Sequence, residues 1–194
     1  QSAPPLRAAW PTAREAWRAS LAPDGDRPEA LTALAALDAR EGRLDAARGA
    51  LERALGREPS SGIAVVNLAE VRRAQGDATG ALGLLRDGAR RLPQAAEVQH
   101  ALGLAEIRGG DRRAALRALA TAVRLAPDEP RYAWVHAIAL HDIDDPARGI
   151  AALEAAQSRQ PGYAPHAEAL LRFAQARGDA EAVARWSSAR AAIR

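Results

Sequence analysis

Residues 96–129, AEVQHALGLAEIRGGDRRAALRALATAVRLAPDE, decide the fold of this chain. Gly110 lies near the middle of the stretch, where a glycine permits the backbone to reverse between two helices. Ala115 follows five residues later, and Leu119 comes four residues after that. Pro127 marks the end, because proline cannot donate its amide and disfavours helix in the residue before it. The pattern predicts two helices joined by a tight turn.

The same four positions recur every 34 residues along the chain. They are Gly42, Gly76, Gly110, Asp144 and Gly178 in the turn, Ala47, Ala81, Ala115 and Gly149 after it, then Leu51, Leu85, Leu119 and Leu153, and finally Pro59, Pro93, Pro127 and Pro161. A fixed period of this length is typical of tandem helix–turn–helix units. The composition is 48% hydrophobic but only 4% aromatic, and its many alanines favour short, closely packed helices. The sequence therefore predicts an all-α fold.

These repeated positions resemble those of the tetratricopeptide-repeat (TPR) family over four consecutive units. The resemblance implies a right-handed α-solenoid in which the first helix of each unit lines a concave groove. The predicted full repeats are 28–61, 62–95, 96–129 and 130–163. Together they fill 28–163, with an irregular N-terminal segment at 1–11, a half-repeat helix at 12–26 and a terminal TPR-like helix pair at 164–194.

Two further features of the repeats predict local contacts. Asp77, Asp111 and Asp179 come just after the turn glycine and are well placed to cap the second helix of their repeats. Ala81 and Ala115 occupy the position at which we expect the two helices of one repeat to touch most closely.

The fourth and last repeats depart from the pattern. In the fourth, His136 stands at the core-leucine position, and Asp144 replaces the turn glycine. In the last, Leu171 replaces a small residue and Ser187 replaces the leucine. Terminal repeats are atypical because one of their faces has no neighbour. The last helix is accordingly expected to be either a solvated cap or the place where a longer chain was cut.

Charge and composition argue against several classes of function. All 27 basic residues are arginines, yet the formal net charge is only +3. No basic run exceeds two residues and no aromatic residues alternate with them, so we expect no nucleic-acid partner. The chain has no cysteine, which excludes disulfides and thiolate metal sites. No stretch approaches 18 uninterrupted apolar residues, so we expect no direct membrane insertion.

The first residues bear on where the protein works. The chain starts Gln1-Ser2-Ala3-Pro4-Pro5 and contains no methionine, so we expect a processed mature protein or a piece of a longer one. A start rich in serine, alanine and proline resembles that of an exported protein after removal of its leader. The expected location is the bacterial periplasm or cell envelope rather than the cytoplasm.

One cluster has the composition of a metal site, namely His136, His141, Asp142, Asp144 and Asp145. Two histidines five residues apart on a helix lie about 140° apart around its axis, which misaligns them. The aspartates suit a turn and a helix start, so we predict no metal and no cofactor. His100 and His166 stand alone and are expected at the surface or against a partner.

Nucleophilic catalysis needs a nucleophile, a base and an orienting group held together. The serines fall at helix ends or on the terminal helix, without a recognisable catalytic motif. The glycines follow the repeat period and form no phosphate-binding loop. We therefore predict no catalytic residues and no enzyme activity in this chain.

The family resemblance implies which side chains face a partner in the groove. They are Ile63, Val66, Glu70, Arg73, His100, Leu104, Ile107, Arg108, Arg131, Trp134, Ile138, His141 and Arg172. Trp134 is predicted as the central anchor, because tryptophan and arginine are enriched at binding hot spots. The alternative is that Val66, Leu104, Ile107 and Ile138 are ordinary packing between repeats.

Another ligand mode of the family, the carboxylate clamp for chaperone C-termini, is not predicted. Asn67 matches one clamp position, but Glu97 reverses the charge of another. Separately, residues 132–140, YAWVHAIAL, resemble late repeats of TPR segments fused to bacterial multihaem cytochromes, although the chain has no haem-attachment motif.

The sequence thus predicts a non-catalytic scaffold or adaptor that binds a partner peptide or subunit in its groove, as part of a bacterial envelope assembly. One alternative is an accessory TPR domain of a larger enzyme or multihaem electron-transfer protein. Another is a self-associating TPR module, in which the half-repeat of one copy docks into the groove of a second.

Overall fold

The computed structural model describes residues 15–16 and 27–193. Residues 15 and 16 are helical. The irregular segment predicted at 1–11 and the remainder of the half-repeat helix predicted at 12–26 lie outside the described residues.

Between residues 27 and 193 the chain forms ten α-helices and no β-strand. They are α1 (Pro28–Arg40), α2 (Leu44–Arg57), α3 (Gly62–Ala74), α4 (Ala78–Arg91), α5 (Ala96–Gly109), α6 (Arg112–Leu125), α7 (Pro130–Ile143), α8 (Pro146–Arg159), α9 (Ala164–Arg177) and α10 (Ala180–Ala192). The predicted all-α fold is confirmed. The contacts group the chain into two compact units, unit 1 up to Ala101 and unit 2 from Leu102.

Unit 1 is built on helix pairs whose apolar faces meet. The first helix α1 packs against α2 and contacts α3, while α3 packs against α4 and α2. The largest side chains of its main apolar cluster are Leu31, Leu51 and Leu68, with alanines between them. Because most of the other core positions hold alanine, the helices approach closely, as the composition predicts.

Unit 2 has a core with larger apolar side chains. Helix α7 packs against α6 and α8, and α9 packs against α8 and α10. Its main apolar cluster contains Ile150, Leu153, Leu170 and Phe173. Leu119 of α6 is also fully buried. Within α10, by contrast, only Ala182 is buried, so most of that helix meets solvent.

The turns between paired helices confirm the predicted role of glycine. Gly42, Gly76, Gly110 and Gly178 have φ values of +78°, +88°, +85° and +69°, a region that residues with a Cβ rarely adopt. In the fourth repeat Asp144 has φ −115° and ψ −78°, so this turn closes without left-handed backbone.

Aspartates cap the second helices, also as predicted. The carboxylates of Asp77, Asp111 and Asp179 accept hydrogen bonds from backbone amides at the starts of α4, α6 and α10, at 2.8, 2.9 and 3.0 Å. In the fourth repeat Asp145 does the same for α8, where its carboxylate lies 2.8 Å from the Ala147 amide and Pro146 takes the first helical position.

Small residues mark the closest helix contacts. Ala115 is fully buried, as its repeat position predicts. A Cβ added at Gly149 would fall 2.5 Å from the His141 backbone nitrogen on the facing helix. At Gly103 it would fall 2.5 Å from Cγ of Leu119. These positions have no room for a larger residue.

At glycines on open helix surfaces, unlike those at close helix contacts, we expect a change to alanine to stabilise the protein. Gly49 in α2 and Gly83 in α4 have nothing within 4 Å of an added Cβ. Each Gly→Ala change should raise the free energy of unfolding by about 0.5–1 kcal/mol, because alanine loses less backbone entropy in a helix. Gly149→Ala is the counterpart and should be destabilising by about 1–3 kcal/mol. Urea unfolding of the three variants tests this, and a loss of stability at Gly83 would contradict it.

Candidate partner-binding surfaces

Four of the predicted contact residues line one side of α3 in unit 1. Ile63 is 61% exposed, which is unusual for a large apolar side chain, and Val66 is half-buried one turn further on. Glu70 and Arg73 continue the row and form an ion pair, with Arg73 Nη2 2.8 Å from Glu70 Oε2. The row therefore runs from apolar to charged along the helix.

Next to this row, α1, α2 and α3 enclose an apolar cleft of about 200 Å³ within unit 1. It is lined by Ala35, Ala36, Ala39, Leu44, Leu51, Asn67, Glu70, Val71, Arg73 and Ala74. The aliphatic residues form most of this lining, and Asn67 and the Glu70–Arg73 pair supply its polar groups. Sites for drug-sized ligands measure about 300–1,000 Å³, so a cleft of this size suits a single side chain of a partner.

Glu70 and Arg73 were predicted from the sequence, but the part of the cleft that α1 contributes was not. Ala36 and Ala39 stand 34 residues before Glu70 and Arg73, at the same positions of the preceding repeat. Their small side chains do not resemble binding residues, yet they leave the space that forms the cleft. The repeat period was the information that could have identified them.

Three of the predicted contact residues of unit 2 pack against its core. Trp134 and Ile138 of α7 are partly buried against the apolar cluster that contains Phe173. The His141 ring stacks on Phe173 with centroids 3.7 Å apart and planes 6° apart. Ile138 therefore contributes to the packing of unit 2, and its contact with a partner stays a prediction.

The remaining predicted residues of unit 2 are more open. Ile107 is 38% exposed, and Leu104 on the same helix is half-buried. Arg108 and Arg131 are exposed. Arg172 is also exposed, and its guanidinium carbon lies 5.4 Å from the centre of the Phe173 ring, within range of a cation–π contact.

The structure corrects the prediction for two histidines. His100 is only 5% exposed and His166 is 0% exposed, so neither is a surface residue. His166 Nε2 lies 3.1 Å from the Pro130 carbonyl oxygen, which can only accept, so Nε2 donates. His166 falls two repeat periods after Val98, which is also fully buried. The repeat position of His166 therefore predicts its burial correctly, whereas the polarity of histidine does not.

The cluster that could have been a metal site is engaged in other contacts. His141 Nδ1 lies 2.7 Å from the Asp142 carboxylate, and His136 is half-buried. Among the described residues no group of three or more histidine, cysteine or acidic side chains could hold a metal ion. The expected absence of a metal at His136 and His141 stays a prediction.

Burial of two histidines predicts how the stability of unit 2 depends on pH. Burial lowers the pKa of His136, and nearby Arg148 lowers it further. Burial also lowers the pKa of His166, where Arg159 adds to the effect and the Pro130 carbonyl opposes it. In the unfolded chain both titrate near the ordinary histidine value of 6.5. Unfolded protein therefore binds more protons at acidic pH, and stability is lost as the pH falls below that value.

Urea unfolding at pH 7.5 and pH 5.0 measures this loss. The double variant His136→Gln/His166→Gln should show a smaller difference between the two pH values than the native sequence. An unchanged difference would assign the acid sensitivity to other groups.

No helix of residues 27–193 combines the length and the apolar character needed to cross a membrane.

Comparisons with known proteins bear on the repeats directly. Two tetratricopeptide-repeat family models match residues 38–105 and 100–165. Over 123 residues the chain is 37% identical to the cellulose synthase 2 operon protein C of Komagataeibacter xylinus. That match covers 61% of the chain but only 9% of the length of the relative.

Solved structures share the fold at low sequence identity. PilF of Pseudomonas aeruginosa aligns with a TM-score of 0.72 at 19% identity, over 93% of this chain and 82% of its own. A TPR protein of Thermus thermophilus, TTC0263, aligns with a TM-score of 0.64 at 21% identity. That alignment covers 94% of this chain and 91% of TTC0263. YrrB, a TPR protein with an unusual peptide-binding site, aligns with a TM-score of 0.61 at 16% identity, over 93% of each chain. The predicted TPR-solenoid fold class is confirmed.

Proteins with this fold are generally non-catalytic scaffolds that bind protein or peptide partners. The repeat positions, the helix pairs and the two family models agree along residues 38–165. The chain belongs to the tetratricopeptide-repeat family.

Proposed function

We propose that this chain is a non-catalytic scaffold that binds a partner peptide, and that the cleft of unit 1 receives one aliphatic side chain of that peptide. The observation that carries the proposal is the apolar cleft between α1, α2 and α3. Helix α3, which lines it, also exposes Ile63. Full burial of a leucine- or isoleucine-sized side chain contributes about 1.5–3 kcal/mol.

The polar groups of the cleft suit the backbone of such a peptide. The Asn67 amide can both donate to and accept from a peptide bond. Both side chains of the Glu70–Arg73 ion pair are 46% exposed. Either side chain can therefore turn towards a ligand. The cleft thus combines an apolar pocket with hydrogen-bond donors and acceptors. This combination favours an extended peptide segment as the ligand over the surface of a globular domain.

We also propose that the accessible predicted contact residues of unit 2 form a second surface. The accessible Ile107, Arg108, Arg131 and Arg172 supply an apolar patch and positive charge. The partly buried Trp134 is its proposed anchor, supported by the enrichment of tryptophan at hot spots.

For the biological setting we propose a bacterial envelope assembly, with a periplasmic location. Its support is the similarity to a bacterial protein named for a cellulose synthase operon. That relative is far longer than the matched region, which favours a second candidate function, an accessory segment of a larger protein. Fractionation of native cells with an antibody against the chain tests the location, and the molecular mass of the detected band tests the second candidate.

Selection from a displayed library of random 12-residue peptides tests the cleft. Ala36 is exposed and lines the cleft, so Ala36→Trp should fill it without disturbing the core. Ala151→Trp, at an exposed position of α8, is the matched control.

Peptides selected on the native chain should contain a recurring aliphatic residue. They should bind Ala36→Trp at least tenfold more weakly, while the Ala151→Trp affinity stays unchanged. Peptides that bind both variants equally would place the binding site elsewhere.

A further inference from the structure

The outward side of α6 in unit 2 carries a row of arginines. At 100° per residue, Arg113, Arg117 and Arg124 fall within about 40° of one another around the helix axis. The buried Ala122 lies opposite them, about 180° from Arg113. All three arginines are exposed, and the row extends over roughly 16 Å at 1.5 Å per residue. We call these three side chains the arginine row.

No carboxylate of the described residues pairs with the arginine row. Helix α6 itself contains no acidic residue. Its capping Asp111 is engaged with the Ala114 amide. Elsewhere some arginines of the second helices do pair with a nearby carboxylate, as in Arg90 with Asp87 and Arg148 with Asp144.

The repeat fold does not require arginine at these positions. The equivalents in α2 are Asp45, Gly49 and Gly56, and those in α8 are Ala147, Ala151 and Ser158. In α4 they are Thr79, Gly83 and the paired Arg90. Together with Arg112, the row gives α6 a charge of +4, more than the +3 of the entire chain. Like charges on neighbouring turns repel one another, so the row carries a cost that the fold leaves uncompensated.

We propose that the arginine row docks an acidic protein segment, one rich in aspartate and glutamate. The guanidinium group matches a carboxylate bidentately, and carboxylates spaced along one segment can pair with the three arginines of α6. The arginine row shares no residue with the cleft of unit 1, and it would give its partner electrostatic steering and salt-dependent affinity.

The side chains of α6 do not favour nucleic acid or a lipid surface as the ligand of the arginine row. It has no aromatic side chain on which a base could stack. It also exposes no large apolar side chain that could enter a lipid surface. Carboxylates need neither feature, which is why we assign the arginine row to an acidic protein segment.

Binding of a fluorescein-labelled dodecaglutamate peptide tests the assignment, with fluorescence anisotropy at low and at roughly 0.3 M salt as the measurement. Arg113→Glu/Arg117→Glu/Arg124→Glu should weaken binding at least tenfold. Arg48→Glu/Arg90→Glu/Arg148→Glu is the matched control, since it makes the same change of net charge at arginines that are paired on α2, α4 and α8. The control should stay within threefold of the native chain, and the native affinity should fall as salt rises. The single variant Arg117→Glu should show an intermediate loss, which keeps the test valid if the triple variant unfolds.

Equal losses in the two triple variants would show that only net charge matters and would overturn the assignment. So would tighter binding of duplex DNA, or of vesicles with about 30% phosphatidylglycerol, than of the peptide through the same three arginines. Ala36→Trp should leave dodecaglutamate binding unchanged, so this test can fail or succeed independently of the cleft.

Discussion

Replacing Ala115 with leucine is expected to lower the free energy of unfolding by about 1–3 kcal/mol, whereas Arg112→Leu should change it by less than about 0.5 kcal/mol. Ala115 is 0% exposed, while Arg112 lies exposed at the start of the same helix. Extra methyl groups at Ala115 must push apart helices that already touch, because protein interiors contain few voids larger than a water molecule.

Urea unfolding of the two leucine variants gives the comparison directly. Both variants introduce the same side chain three residues apart, so differences in helix propensity largely cancel. Equal midpoints would mean that the assigned repeat phase does not describe the packing of α6.

Replacing Trp134 with alanine is expected to weaken binding of a peptide partner to unit 2 by roughly thirtyfold or more, which corresponds to about 2 kcal/mol of hot-spot energy. Trp134 is partly buried against the cluster that contains Ala137, Leu170 and Phe173, so part of the ring contributes to folding and the exposed remainder is left for a partner. Arg108→Glu should also weaken binding, and its effect should shrink as salt rises.

The measurement is calorimetric titration with a peptide selected against the native chain and mapped to unit 2. Because Trp134 contributes to packing, circular dichroism must first show that the alanine variant is folded at the temperature used. Trp134→Phe keeps most of the packing and should bind with an intermediate affinity. Arg53→Ala, in α2, should leave the affinity unchanged. Unaltered binding by Trp134→Ala would remove this residue from the proposed surface.

The sequence by itself determined the repeat architecture, because that architecture depends on local chemistry repeated at a fixed interval. Gly42 and Gly76 were identifiable as turn residues since only glycine adopts positive φ at little cost. The caps at Asp77 and Asp111 were identifiable since their carboxylates reach amides three residues away. Both features act within one turn of the chain, so they are visible in the sequence alone.

What only the tertiary structure decided concerns contacts between helices that are distant in sequence. The cleft of unit 1 depends on two small residues of α1 meeting Glu70 and Arg73 of α3, and alanine carries no mark of such a role. His166 is buried because α9 places it beside the Pro130 carbonyl of α7, a contact between residues 36 positions apart in sequence. Phe173 meets His141 in the same way. The repeat period predicts that helices pack, but the sizes of the facing side chains decide where they leave a cleft or bury a ring.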